Sequence, residues 1–295
     1  MRKLAPEKRA QILTLLCEGM SMRAISRTVD VSINTVTKLL IDAGEAAIAF
    51  HDDAVRDVHA KRIQCDEIWS FNYAKQKNVA KAKNAPDFAG DVWTWTALDS
   101  DSKMIVSYLV GGRDGEYAMA FMDDLRSRLA NRVQLSTDGH RSYLTAVDAA
   151  FGADIDYGML NKIYGEGPRT HARYSPAICI GAKREVITGN PKMKDVSTLH
   201  VERSDLSMRM HMRRFTRLTN GHSKRFANHC HMVALYTLWY NFVRVHSSVK
   251  MSPAMAAGVS DTLWSMADIV ALIEDAEGPA KKRGPYKPRT TPQSA

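Results

Sequence analysis

The 295-residue sequence predicts an α/β protein, a mixed sheet flanked by helices and preceded by an all-α unit. Three observations carry that reading. Residues 1–60 place apolar side chains at helical spacing, with turn and capping residues between the runs. Residues 62–160 follow the order strand, strand, strand, helix, strand, helix, strand. Residues 198–229 read as a helical region rich in arginine.

Composition narrows the class. An apolar content of 45% and a charged content of 25% are ordinary for a soluble globular chain. No run approaches the roughly 18 to 20 apolar residues of a membrane span. "MRKLAPEKRA" lacks the apolar region of a signal peptide, which argues against secretion. Cys17, Cys65, Cys179 and Cys230 are scattered without a C-x-x-C pair, which argues against a zinc ribbon or a disulfide framework and fits a reducing cytoplasm. The net charge of +9 is unevenly placed. Residues 1–60 carry eight basic and eight acidic groups, and residues 101–160 carry six and nine. Residues 161–220 carry twelve and five, and residues 221–295 carry nine and five. A polyanion held beside a group of carboxylates would use such an arrangement, whereas a solvated basic surface is the plain alternative.

"PEKRAQILTLLCEG" gives the first helix, with Pro6 in the first turn, Ile12, Leu15 and Leu16 on the apolar face and Gly19 at the end. "SMRAISRTVDVSINTVTKLLIDAG" gives two short helices around a tight turn. Ile25, Val29 and Val31 pack inward, Ser32 caps the next helix, and Val36, Leu39 and Leu40 form its buried side. At its start Asn34, Thr35, Thr37 and Lys38, beside Ile33, are groups able to meet base edges and phosphates. This stretch resembles a helix-turn-helix of resolvases and transposases. Ser26 stands where a small alanine is usual and Asp30 where a turn glycine is usual, and Asp tolerates the left-handed conformation. A plain three-helix bundle is the alternative. Residues 45–60 read as a helical connector or a self-association element.

"RIQCDEIWSF" is a core-seeking strand with Asp66 and Glu67 at its centre, and burying an unpaired carboxylate costs several kcal/mol. "DVWTWTALD" and "KMIVSYLVGG" are two more strands, joined by the turn "SDS". "EYAMAFMDDLRSRLA" is an amphipathic helix, "RVQLSTDGH" a strand ending in Asp138, "SYLTAVDAAFG" a helix and "ADIDYGML" a strand. This is the order of the ribonuclease H-like fold, in which the first strand and the end of the fourth lie side by side. Asp66 and Asp138 would meet there, and two such carboxylates repel unless a cation joins them. A bland reading also exists, since an Asp before Gly at a strand end is common turn chemistry. Asp99 and Asp101 fit that bland reading. Glu67 should point to the opposite face from Asp66, because strand side chains alternate.

From Glu202, the residues Asp205, Arg209 and Arg213 recur at three- and four-residue steps and share one helical stripe. Glu202 could therefore lie beside the two aspartates, with Arg209 and Arg213 reaching phosphates. Glu185 is the competing third acid, ranked below Glu202. His229 and His231 stand two apart on a helix, about 200° around it, and make poor joint ligands for one metal.

Taken together, "CDEIWSF", "STDGHRSY", "HVERSDLSMRMHMRRFTRLTNGHSKRFANH" and "ALYTLWYNFVRVH" resemble the DDE transposases of bacterial insertion sequences, in particular the insertion-sequence-one family and its relatives. The resemblance spans residues 5–270. It implies a catalytic triad of Asp66, Asp138 and Glu202 holding two Mg²⁺ ions, with Mn²⁺ able to substitute, and Arg209 as the basic residue that follows the glutamate. It further implies DNA strand cleavage and strand transfer at the element's terminal repeats by a homo-oligomer, a dimer or higher, in the cytoplasm at the nucleoid. Many members begin with a cysteine-rich zinc module that this chain lacks. End recognition would then rest on the helix-turn-helix and on the basic second half, Arg213, Arg214 and Arg217 included. The implied division is a helix-turn-helix at 1–45, a helical linker at 46–61 and a catalytic domain at 62–250 with an insertion at 162–198. A helical segment at 251–276 and a basic disordered tail at 277–295 follow. The rival readings are a ribonuclease H-like nuclease without strand transfer and a DNA-binding regulator with a decayed catalytic domain.

Overall fold

The computed structural model describes residues 4–165, 178–216 and 219–278. Strands β1 (Arg62–Asn72), β2 (Gly90–Asp99) and β3 (Ile105–Gly111) form an antiparallel meander. β4 (Gln134–Asp138) pairs parallel to β1, and β5 (Asp156–Gly165) pairs parallel to β4. β6 (Ile178–Thr188) returns antiparallel on β5, so the six-stranded sheet runs β3-β2-β1-β4-β5-β6. This open mixed sheet flanked by helices resembles the ribonuclease H-like fold, as the order of the elements predicts.

The helices are α1 (Pro6–Cys17), α2 (Met22–Val29), α3 (Ile33–Ala54), α4 (Gln76–Val79), α5 (Gly115–Arg128), α6 (Ser142–Phe151), α7 (Leu199–His211), α8 (Phe226–Leu238), α9 (Pro253–Ala256) and α10 (Met266–Glu277). Ser21 and Ser32 cap α2 and α3 by accepting from the backbone N–H of Ala24 and Asn34, at 3.2 Å each. Between them Asp30 adopts the left-handed conformation at φ 52°, the role expected of it. None of the described helices is long and apolar enough to cross a membrane.

α3 is 22 residues long and runs through residue 45, so residues 45–54 continue the helix that Ser32 begins. Its C-terminal half is buried at Ala46, Ala47 and His51. Arg128, on α5, closes the helix end: Nη1 donates to the carbonyls of His51 (3.2 Å) and Val55 (3.1 Å). A cation suits a helix C-terminus, where the last carbonyls lack partners. α3 packs along α8 and α10, α1 packs on α10, and one apolar core joins these helices to the sheet.

The arginine-rich region is not one helix. α7 stops at His211, Arg213–Phe215 form a short 3₁₀ turn, and α8 begins only at Phe226. Met212 and Phe215 are both buried, which draws the chain off the helical path. Arg213 therefore does not extend the stripe of Glu202, Asp205 and Arg209. After α8 the helix widens into a π turn, Trp239–Val243. That turn delivers the buried Asn241 side chain to β3. Its Oδ1 accepts from the N–H of Ile105 (2.9 Å), and its Nδ2 donates to the carbonyl of the same residue (2.8 Å). Leu235, Leu238, Trp239 and Phe242 are buried, as their spacing predicts.

Close approach of α3 and α8 depends on Gly44, where an added Cβ would lie 2.3 Å from Cβ of His231. Gly44→Ala is expected to destabilise the protein by roughly 1 to 3 kcal/mol through overpacking. Urea unfolding checks this: the midpoint should fall with the slope unchanged.

Candidate metal centre

β1 lies at the middle of the sheet, with β2 on one side and β4 on the other. The parallel register pairs Gln64 with Ser136. Two residues further along each strand stand Asp66 and Asp138, which side-chain alternation places on the same face. Their carboxyl oxygens meet within 4.8 Å, and a Glu67 oxygen joins them at the same separation.

Glu67 corrects the sequence-based expectation. Its side chain is buried and receives Arg113, whose Nη2 and Nε both donate to Oε2, at 3.1 and 3.3 Å. It converges with Asp66 and Asp138 instead of pointing to the opposite face. Alternation sets the direction in which a side chain leaves the strand, and a glutamate has the reach to curl back toward the strand end. Arg113 is itself held over the Trp93 ring, its Cζ 4.5 Å from the ring centre.

Asp138 serves two purposes. Its Oδ1 accepts from the N–H of His140 at 2.9 Å, an Asx turn of the kind expected for "TDG". The same carboxyl belongs to the acidic group. Gly139 makes room for the turn, because a Cβ there would lie 2.3 Å from Oδ1 of Asn161 on β5.

α7 is moored to β1 by Gln64. The buried Oε1 accepts from the N–H groups of His200 (2.8 Å) and Val201 (3.2 Å) at the helix start. The mooring brings Glu202 to the wall of a cavity of about 580 Å³ that Asp66, Asp138, Arg113, His140 and Lys162 also line. Glu202 has two partners there: Lys162, on β5, and the Thr198 hydroxyl both donate to its Oε1. Glu185, on β6, is exposed and accepts from Nδ2 of Asn161 at 3.3 Å.

The same mooring brings Asp205 against Asp66. Burial, and then the charge of Asp66, push the Asp205 carboxyl well above the usual range, while Arg209 opposes the shift. Arg209 is half-buried and acts on this carboxyl. The spacing places Asp205 on the stripe of Glu202, and the fold brings it next to Asp66. Arg214 also departs from expectation. Its guanidinium turns inward, donating to the Ser223 hydroxyl at 3.2 Å and resting on the Met22 sulfur at 3.8 Å. Burial lowers it to about 10. Arg213 is exposed, and Arg217 lies outside the described residues. On α3, Asn34 and Lys38 are exposed, Thr35 and Thr37 are half-buried, and Lys38 pairs with Asp42 at 2.6 Å. His229 is a core group bonded through Nδ1 to the Ser223 hydroxyl at 2.8 Å, and burial lowers it to about 3.

Burial and then the charge of Asp138 push Asp66 up to about 6, with Glu202 adding to the effect. Burial raises Glu67 to about 7. The Tyr143 hydroxyl and Arg113 favour its ionised form, and Asp138 and Asp66 disfavour it. Oε1 of Glu67 is buried and has no hydrogen-bond partner among the described residues. An all-oxygen donor set, mutual repulsion and an orphaned carboxylate oxygen fit a hard divalent cation such as Mg²⁺ or Mn²⁺. The group of Asp66, Glu67 and Asp138 could coordinate one such ion.

No protein-family model matches the chain, and no curated protein matches it. Among solved structures, a piggyBac transposase in a synaptic complex with hairpin DNA aligns with 92% of this chain and 71% of that chain. The identity is 12% and the TM-score 0.40. A likeness of that size carries no information about activity.

The raised carboxyls set a sign for stability. Their ionised forms are disfavoured in the fold, so the penalty is absent below about pH 4, where both states bind the proton. It grows as pH rises through about 6 for Asp66 and about 7 for Glu67, and is complete above that. Asp66→Asn is expected to stabilise the metal-free protein at pH 7.5 by about 1 to 3 kcal/mol, with the gain disappearing near pH 4. Millimolar Mg²⁺ should raise the Tm of the parent protein and leave that of Asp66→Asn unchanged. Thermal melts at the two pH values, with and without the ion, measure both effects.

Proposed function

We propose that the chain is a metal-dependent enzyme that cleaves DNA phosphodiesters. The observation that carries this is the convergence of the Asp66, Glu67 and Asp138 carboxyls within 4.8 Å at the centre of the sheet. A divalent ion bound there supplies Lewis-acid activation of the attacking oxygen and neutralises charge on the phosphate. The protein's own contribution is to hold the donors. Asp66 and Asp138 are set by strand register, and Arg113 fixes one oxygen of Glu67. Glu202, hydrogen-bonded to Lys162 and Thr198, waits on the wall of the same cavity. Lys162 and Arg113 offer cations at that wall to a bound phosphodiester.

The finer reading is a DDE transposase. It takes Asp66, Asp138 and Glu202 as the triad for two Mg²⁺ ions, and it adds strand transfer at terminal repeats by a homo-oligomer. Its support is the motif resemblance, with Glu202 reaching the same cavity as the two aspartates. Arg209 would then act through Asp205, and Arg213 would remain an exposed DNA contact. The helices α1–α3 would serve as the helix-turn-helix. The nuclease reading needs the acidic cluster alone, and the regulator reading needs no cleavage.

Labelled duplex DNA incubated with Mg²⁺ separates the three. Nicked products that disappear in Asp66→Asn and Asp138→Asn, with DNA binding intact, support the nuclease. Joined products add strand transfer. Binding without cleavage at any Mg²⁺ or Mn²⁺ concentration sinks both enzyme readings. Glu67→Gln and Glu202→Gln then identify the third donor, because activity should drop to background in whichever residue supplies it.

Because α3 crosses residue 45, recognition by its first turn is better probed by substitution than by truncation. Asn34→Ala with Thr35→Ala should remove preference for the terminal repeats while leaving weak, salt-sensitive DNA binding. Competition binding against unrelated DNA tests it, and unchanged discrimination would assign α1–α3 a purely structural role.

A further inference from the structure

A second cavity, of about 400 Å³, lies against α7 away from the acidic cluster. Lys103, His200, Arg203, Arg244 and His246 line it together with Tyr240, and no carboxylate lines it among the described residues. At about 100° per residue, His200, Arg203, Ser204 and Ser207 stand roughly 100° to 200° around α7 from Glu202. One helix thus separates an acidic cavity from a basic one.

The cations of this cleft oppose one another. His246 is held below the ordinary imidazole range by burial, then by Lys103, Arg244 and His200. His200 is lowered by burial, then by Lys103 and Arg62, with Asp101 opposing. The nearby acids are committed elsewhere. Asp99 accepts from the N–H groups of Asp101 (3.1 Å) and Ser102 (3.2 Å), and Asp101 pairs with Arg62. Arg244 is held over the Trp239 ring, its Cζ 5.4 Å from the centre. Its Nη1 is buried and has no hydrogen-bond partner among the described residues. A cavity walled by like charges, with no carboxylate among the described residues that line it, favours an anion.

We propose that this cleft binds a phosphate group. The guanidinium groups of Arg203 and Arg244 supply planar paired donors and Lys103 a point charge, a set suited to a tetrahedral oxyanion. The phosphate belongs either to a nucleic-acid backbone crossing the back of α7 or to a free phosphate ion. The proposal holds whether or not the acidic cluster cleaves DNA.

Calorimetric titration of the full chain with inorganic phosphate, and salt-dependent binding of duplex DNA, test it together. Arg203→Gln with Arg244→Gln should weaken phosphate binding by at least about tenfold and shallow the DNA salt slope by about two. Ser247→Glu, at an exposed rim position, adds a negative charge without removing packing and should also weaken phosphate binding if the double variant does not fold. Loss of phosphate binding with the DNA slope unchanged assigns the cleft to free phosphate. A shallower slope assigns it to the backbone. Unchanged phosphate affinity and unchanged slope in every folded variant overturn the proposal. Asp66→Asn should keep full phosphate affinity, so failure of the metal-centre reading would be seen separately.

Discussion

Electrostatic repulsion among carboxyls at the middle of the sheet is the constraint around which the structure is arranged. Asp66, Glu67, Asp138 and Asp205 crowd one region of β1, β4 and α7, and burial removes the water that would otherwise screen them. Three of the four are answered locally. Arg113 takes one oxygen of Glu67, Arg209 opposes the shift of Asp205, and the His140 N–H satisfies one oxygen of Asp138. Lys162 holds Glu202 nearby. The answers are incomplete, since Asp66, Glu67 and Asp205 remain raised and one Glu67 oxygen is orphaned.

Much of this was legible in the sequence, for physical reasons that can be named. The order of strands and helices follows from period-2 and period-3.6 patterns, and parallel pairing of β1 with β4 follows from the fold that order implies. Residue parity then brings Asp66 and Asp138 to one face. Three features were not legible. Glu67 depends on side-chain reach and on Arg113, which follows β3 in an unremarkable "GGRDG". Asp205 shares a helix stripe with Glu202, but only the mooring of α7 by Gln64 shows how closely it approaches Asp66. Arg214 stands among the arginines that the resemblance assigns to DNA recognition, yet the turn between Met212 and Phe215 rotates it inward.

Helix ends were read less well than helix cores. Ser32 and Asp30 mark the start of α3 clearly, whereas nothing near residue 45 signals an end, and Ala46, Ala47 and His51 continue to bury their side chains. The true stop is supplied from elsewhere in the chain, by Arg128 donating to the carbonyls of His51 and Val55. Local sequence cannot reveal a cap that comes from a distant helix. That cap also ties the N-terminal helices to the central sheet, because Arg128 sits on α5, which follows β3 directly.

The π turn after α8 has a consequence for the border of the sheet. β3 forms one border of the sheet, and a border strand offers unpaired N–H and carbonyl groups that can recruit a strand from another molecule. Asn241 imitates such a neighbour at Ile105, filling both its donor and its acceptor with one amide side chain. The widened turn therefore stands in for the missing seventh strand at a buried point of the border. An unbroken α-helix through Trp239–Val243 would turn the amide away and leave two buried backbone groups without partners.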